Sequence, residues 1–345
     1  MAPEGVRMLQ KRHVPVLTQQ VLEYLAPLPG GVYVDCTLGF AGHASEIARR
    51  IGPEGHLIGM DRDPQALALA GERLEALAQE LGSAMPRRTL IGEPFSGIAA
   101  HITPRSVDGI LADFGVSSMQ LDQPERGFSF QAEGPLDMRQ DTRQTLTAEQ
   151  VVNEMDEKQL ANLIYEYGEE RRSWRIARAI VRARPVATTS QLAKVVAGCV
   201  PTIKSERIHP ATRTFQALRI YVNRELDEIR DLLRAVPPLL RPDGRVVVIS
   251  FHSLEDRIVK DEFRDGAARG LWTLLTRRPV TAEEKEIAGN PRARSAKLRA
   301  ALRIVPEISG ARGNRDSRKK QSGSRTYGQL CSRVFRCRTQ HFPAD

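Results

Sequence analysis

Along the chain, short runs of β-branched and apolar residues alternate with longer stretches in which apolar positions recur every three or four residues. That pattern predicts strands separated by helices. The segment His13–Leu28 places Val16, Val21, Leu22 and Leu25 at helical spacing and is stopped by Pro27, Pro29 and the Gly30-Gly31 pair. Val32–Asp35 then reads as a buried strand, the glycine-punctuated turn after it carries Gly39 and Gly42, and Ala44–Arg50 has helical composition. A turn at Gly52-Pro53-Glu54-Gly55 leads into a second strand, His56–Asp61, ending on an acid. Pro64–Leu81 is a helix with Leu67, Ala70, Leu74, Leu77 and Leu81 along one side. Further strands are expected near Arg88–Gly92 and at Val107–Asp113, the latter again ending on an acid. Such alternation builds a doubly wound α/β sheet, with its site at the carboxyl ends of the strands.

From Gln123 the alternation stops, and 123–211 reads as an inserted helical domain between two parts of the sheet domain, 1–122 and 212–305. Thr147 with Gln150, and Thr188 with Gln191, have the form of capping boxes that open two of its helices. One long amphipathic helix is expected through Phe215, Leu218, Val222, Leu226, Ile229 and Leu233, ending at Pro237-Pro238. A strongly β-branched fifth strand follows at Arg245–Ser253, and two more are expected at Leu271–Thr276 and Lys297–Val305.

The formal net charge of +9 changes this picture less than its size suggests. Ala311–Asp345 holds nine Arg or Lys against two Asp, a surplus of seven. The tail, 306–345, therefore reads as basic and disordered, and the folded part is near neutral. Any nucleic-acid face must come from local clustering, and Arg171, Arg175, Arg178 and Arg182 supply one candidate at helical spacing. A solvated face paired with Glu166, Glu169 and Glu170 is the plainer reading of the same stripe. Cys36, Cys199, Cys331 and Cys337 make no paired short spacing, so reduced thiols and no metal are expected. No apolar run reaches the roughly 18 residues of a spanning helix, and a cytoplasmic protein without membrane attachment is the expectation.

The candidate chemistry centres on the opening turn. It lacks a full G-x-G-x-x-G, because Ala41 stands where a glycine would complete it. Asp61 lies 22 residues past Gly39, close to the offset at which a strand-end acid hydrogen-bonds ribose hydroxyls. With Asp113 as a second strand-end acid and no P-loop lysine, S-adenosylmethionine is the most natural cofactor. A nucleotide-dependent oxidoreductase and a non-catalytic RNA-binding ribosome assembly factor are the alternatives from other classes.

Several segments go further. His13-Val14-Pro15-Val16-Leu17, the Asp35–Ser45 turn, Met60–Leu67, Asp108–Phe130, Gly134–Arg139, Thr214–Leu226, Ser250–Lys260 and Asn290–Ala301 closely resemble the bacterial 16S rRNA cytosine-N4 methyltransferases. The resemblance implies a class I S-adenosylmethionine-dependent methyltransferase fold, Rossmann-like and with a helical insertion. It also implies methylation of a cytosine (position 1402) in the decoding region of the small-subunit rRNA. The partner is then 16S rRNA or the small ribosomal subunit; a homodimer stays open. The family's cofactor contacts carry over to Ala41, Gly42, His43, Asp61, Phe95, Asp113 and Gln120. Ala41, Phe114 and Gln140 depart from the family's usual glycine, leucine and methionine.

Methylating an exocyclic amine needs acceptors that align it and take its proton. The loop Asp113–Ser118, with Ser117 and Ser118, is the candidate for that role, and Ser250–Asp256 for the opposite wall. For His252, Glu255 and Asp256, helix capping and loop bracing explain the residues at least as well as catalysis. Candidates for stacking on a flipped base are Phe128, Phe130 and Phe251.

Overall fold

A computed structural model describes residues 15–200 and 209–304. The basic tail and the first residues of the expected opening helix lie outside them. Seven strands form one sheet: β1 (Val32–Asp35), β2 (His56–Met60), β3 (Arg87–Ile91), β4 (Val107–Asp113), β5 (Leu240–Ser250), β6 (Trp272–Leu274) and β7 (Lys297–Arg303). Their order is β3-β2-β1-β4-β5-β7-β6. The first five run parallel to one another, and β7 alone runs against β5 and β6. The order reverses between β1 and β4, which opens a crevice at their carboxyl ends.

The period-2 alternation of the central strands divides two cores. Tyr33, Leu111, Val247 and Ile249 face helices α1 (Thr18–Leu25), α2 (Gly42–Ile51) and α3 (Pro64–Leu81). Val34, Ile110, Ala112, Val246 and Val248 face the opposite helices, which pack Ile229, Leu232, Val236 and Val259 against them. Because both faces are covered, these strands read as near-continuous apolar runs.

The chain continues through α4 (Ser118–Asp122) into α5 (Ala148–Glu154), α6 (Glu157–Gly168), α7 (Ser173–Ala183) and α8 (Thr189–Cys199). The expected capping boxes open α5 and α8, with Gln150 and Gln191 closing each box from the third helical position. The single long helix expected after these is instead two, α9 (Thr212–Asn223) and α10 (Glu225–Leu239), broken at Arg224 with φ +50°. Hydrophobic spacing carries across that corner, but the partners differ. Phe215, Leu218 and Val222 join a helical core running from Phe128 to Val222, whereas Ile229 and Leu233 pack on the sheet. The helical layer thus includes α9, which the sequence assigned to the sheet part.

Pro237 and Pro238 also differ from expectation: they lie inside the last turn of α10. Prolines remove intrahelical donors. The Pro237 and Pro238 carbonyls are taken by Arg303 and by the Arg105 amide. Helices α11 (Ser253–Ala268) and α12 (Glu284–Gly289) complete the described chain, and no described helix is long and apolar enough to cross a membrane.

Candidate active site

The crevice at the carboxyl ends of β1, β2 and β4 is a pocket whose wall includes Gly39, Gly42, His43, Asp61, Phe95, Asp113, Ser117, Ser118 and Gln120. Nearly every residue expected at the cofactor is thus brought to one place, with one exception. Ala41 is fully buried in the core of α1 and α2 and does not line the pocket. Its φ is +54°, and its amide donates to the Leu38 carbonyl at 2.6 Å. The substituted methyl group points away from the pocket, so Ala41 shapes the turn and leaves the contact surface to Gly39 and Gly42. Gly39 sits at φ +50°, and an added Cβ would meet only the Thr37 carbonyl oxygen, at 3.9 Å, which permits close backbone approach by a ligand. A Cβ at Gly42 would come within 3.0 to 3.3 Å of three atoms of Pro15, itself a wall residue.

Asp61 is held by the turn it serves. One carboxylate oxygen accepts from the Gly39 amide at 2.8 Å and the other from the Asp63 amide at 2.9 Å. Burial raises its pKa to about 6 despite those donors. A ligand hydroxyl donating to the remaining lone pairs would favour the charged form. Phe95 lies against Phe114 with ring centroids 5.6 Å apart, so Phe114 supplies the second face of an apolar wall suited to a flat base.

At the junction of β1 and β4, three ionisable groups converge. His43 Nε2 is 3.7 Å from Asp113 Oδ2, beyond hydrogen-bond reach. Both His43 ring nitrogens and Asp113 Oδ1 are buried with no hydrogen-bond partner. Behind them, Asp35 is pushed up to about 6, chiefly by burial and in opposition to His43. Buried polar atoms are ordinarily satisfied, and unsatisfied ones facing a cavity fit a polar ligand. The Thr37 hydroxyl accepts from the Asp113 amide at 2.6 Å and fixes the strand end.

The two serines stand differently. Ser117 caps α4, its hydroxyl accepting from the Gln120 amide at 3.3 Å while the Gln120 side chain accepts from the Ser117 amide. Its hydroxyl is thus committed to the helix, and Ser118 remains as a wall residue. Gln120 also donates to Asp63 at 2.8 Å. Asp63, almost fully buried, pairs with Arg126 at 2.8 Å. That tie locks α4 to β2, and the sequence reading missed it: Asp63 resembles an ordinary helix cap for α3, a role it also fills toward Gln65.

The opposite wall brings together residues far apart in sequence. Arg219 of α9 forms a fork with Glu225 of α10, both bonds 2.8 Å, and lies 3.9 Å from Glu255 of α11. Burial works against both charges, but the carboxylates raise Arg219, and His252 with Arg219 and the Phe251 amide hold Glu255 below its usual range. Burying each such ion costs several kcal/mol unless it is paired. Capping does explain part of the 250s loop: His252 and Glu255 form a capping box on α11, and Asp256 pairs with Arg299 at 2.6 Å. Atoms of Glu225, His252 and Glu255 lie within 4.8 Å of one another, a grouping able to hold a cation, yet the Arg219 guanidinium already neutralises Glu225 there.

Two of the expected stacking residues belong to the core. Phe128 is buried beside Arg126, and Phe130 packs edge-on against Phe215 at 4.9 Å. Only Phe251 of the three lines the pocket.

The arginine stripe is solvent-exposed along α7 and the turn before it. Of the glutamates expected to pair with it, Glu170 is buried and reaches Arg213 at 3.6 Å, and Glu169 pairs with Arg257 at 3.0 Å. Arg178 pairs with Glu157 at 3.2 Å, while Arg171, Arg175 and Arg182 form no salt bridge among the described residues. Trp174, 51% exposed, lies between Arg171 and Arg175 in the sequence. Its spacing was visible in the sequence, but an aromatic on an amphipathic helix reads by default as core.

A seven-stranded sheet with only its seventh strand reversed, and strand-end acids around a glycine turn at the switch point, define a class I methyltransferase. S-adenosylmethionine is its cofactor, and the residues present suit it: strand-end acids, an aromatic wall and unsatisfied polar atoms at the central strands. The chain belongs to the MraW methylase family, whose pattern matches residues 10–304. It is 64% identical to the ribosomal RNA small subunit methyltransferase H of Acidobacterium capsulatum over 294 residues, covering 85% of this chain and 99% of that protein. The protein of the same name from Koribacter versatilis is 57% identical over 305 residues, covering 88% and 97%. That of Sorangium cellulosum is 48% identical over 310 residues, covering 88% and 95%.

Proposed function

We propose that this chain methylates small-subunit ribosomal RNA, and that its target is the N4 amine of the cytosine at position 1402. The observation that carries the reading is the position of Asp113. It ends β4 between the glycine turn and the wall formed by Phe251, Arg219 and Glu255, with one carboxylate oxygen buried and unpartnered. Bound S-adenosylmethionine supplies an electrophilic methyl group on sulfonium sulfur. That methyl group would pass to the amine nitrogen, the electron pair of the broken C–S bond remaining on sulfur. Asp113 accepts a hydrogen bond from the amine, aligns its lone pair and takes the proton that is lost. Gly42 and His43 would wall the cofactor's methionine side, Asp61 would accept from its ribose, and Phe95 and Phe114 would cover its base.

The exposed face of α7 would meet RNA phosphates through Arg171, Arg175, Arg178 and Arg182, with Trp174 available for stacking. Reversing charge at Arg175 and Arg178 should weaken RNA binding and flatten its salt dependence while leaving cofactor affinity unchanged; equal RNA affinity would remove this face from the interface. The direct test of function is mass-spectrometric mapping of small-subunit rRNA methylation in cells with and without the protein, complemented by Asp113→Ala. Loss of one N4-methylcytosine in the null strain, unrestored by the variant, is expected. An unchanged map would refute the reading.

A further inference from the structure

The half of the pocket beyond Asp113 holds a buried charge network that the cofactor does not need. Its wall is built from Gly115, Gln140, Arg219, Glu225, Phe251 and Glu255, drawn from four separate stretches of chain. The Arg219 fork is fixed: Nε and Nη2 both donate to the Glu225 carboxylate, and Glu255 Oε1 lies 3.9 Å from Nη2. Nη1 has no acceptor among the described residues, so two N–H groups of a clamped guanidinium remain open on a pocket-wall residue. Glu255 is held from its other side, with Oε1 3.0 Å from His252 Nε2. At Gly115, φ is +99° and an added Cβ would be 3.4 Å from the Phe251 ring, so bare backbone borders the aromatic face.

Resting on the function proposed above, we infer that Arg219, clamped by Glu225 and Glu255, reads the pyrimidine. A free Nη1 N–H donates to N3 of cytosine, with O2 as the neighbouring acceptor. Uracil presents an N3–H at the same place, donor against donor, and is rejected because a buried donor would be left unpaired. With that edge held by Arg219, the N4 amine is left facing Asp113. Phe251 covers one face of the ring. Arg219 is then the group that sets base specificity, and Glu225 and Glu255 are positioning residues that hold its fork.

The experiment uses the full chain saturated with S-adenosylhomocysteine, with cytidine and uridine monophosphates as probes in saturation-transfer NMR. Methyl transfer to unmethylated small subunits is measured in parallel. Wild-type protein should prefer the cytidine nucleotide at least tenfold. Arg219→Lys keeps the charge and loses the fork; it should bring the preference within twofold and slow transfer at least a hundredfold, with S-adenosylhomocysteine affinity within threefold of wild type. The double variant Arg219→Gln/Glu225→Gln removes both charges together, so a folding defect from an orphaned Glu225 is avoided; the same loss of preference is expected. Retained preference in both variants overturns the inference, as does Mn²⁺ binding that disappears in Glu225→Gln, which would mark the cluster as a cation site. If wild-type protein transfers no methyl group to cytosine N4, the functional reading itself fails; if it does and Arg219→Lys still discriminates, only the role of Arg219 fails.

Discussion

Asp61→Asn separates the two duties of the strand-end carboxylate. In the ligand-free protein its oxygens accept from the Gly39 and Asp63 amides at 2.8 and 2.9 Å. An asparagine can accept only one of these; its NH₂ then faces the other amide, at a cost of about 1–3 kcal/mol. Against this, the carboxylate itself is held at a pKa of about 6 rather than 3.8 by burial, so the ionised form is disfavoured by about 3 kcal/mol. The two effects oppose each other, and the ligand-free melting temperature at pH 7 should move by only a few degrees. Cofactor binding has no such offset. A ribose hydroxyl loses a charged acceptor, about 1.5–3 kcal/mol, which is roughly a ten- to hundredfold loss of affinity. Calorimetric titration with S-adenosylhomocysteine, beside differential scanning fluorimetry, measures both. Unchanged affinity at unchanged melting temperature would show that Asp61 holds only the turn and never meets the ribose.

Other consequences follow from the same geometry. Because the folded pKa of Asp61 is raised, wild-type stability relative to Asp61→Asn is highest below about pH 4 and declines as pH rises through about 6. S-adenosylhomocysteine affinity should move the opposite way, weakening as pH falls through 6; a pH-independent difference in either would contradict the buried-carboxylate assignment. Arg126→Ala leaves nearly buried Asp63 without its cation and should cost about 3 kcal/mol in urea unfolding, with the Gln120 tie weakened as well. Ala41→Gly relieves a left-handed alanine by about 1 kcal/mol but gives back a similar amount of chain entropy and a buried methyl group. Stability should therefore change by under about 1 kcal/mol, and cofactor affinity should not change; a tenfold affinity gain would mean that the methyl group does obstruct the pocket.

The sequence by itself determined the sheet, the turn and the acids at its edge. Val32–Asp35, His56–Met60 and Val107–Asp113 are strands because fully buried parallel strands require unbroken apolar runs, a signal local to a few residues. Asp61 and Asp113 were legible for the same reason, since a polar residue ending such a run marks the carboxyl edge where ligands bind. The capping boxes at Thr147 and Thr188 were equally local, each satisfied within four residues.

Tertiary structure decided the rest. Hydrophobic periodicity runs through Asn223 and Arg224 without a break, so only the divergence of partners, helical core for Phe215 and sheet for Ile229, reveals two helices there. That corner is also what places Arg219 opposite Glu225 and, from another element, near Glu255. Conversely, Phe128 and Phe130 look like base-stacking residues until packing consumes them, and the Ala41 methyl looks like an obstruction until the turn directs it into the core. A strand end follows from its own residues; what shares a pocket depends on which elements the fold brings together.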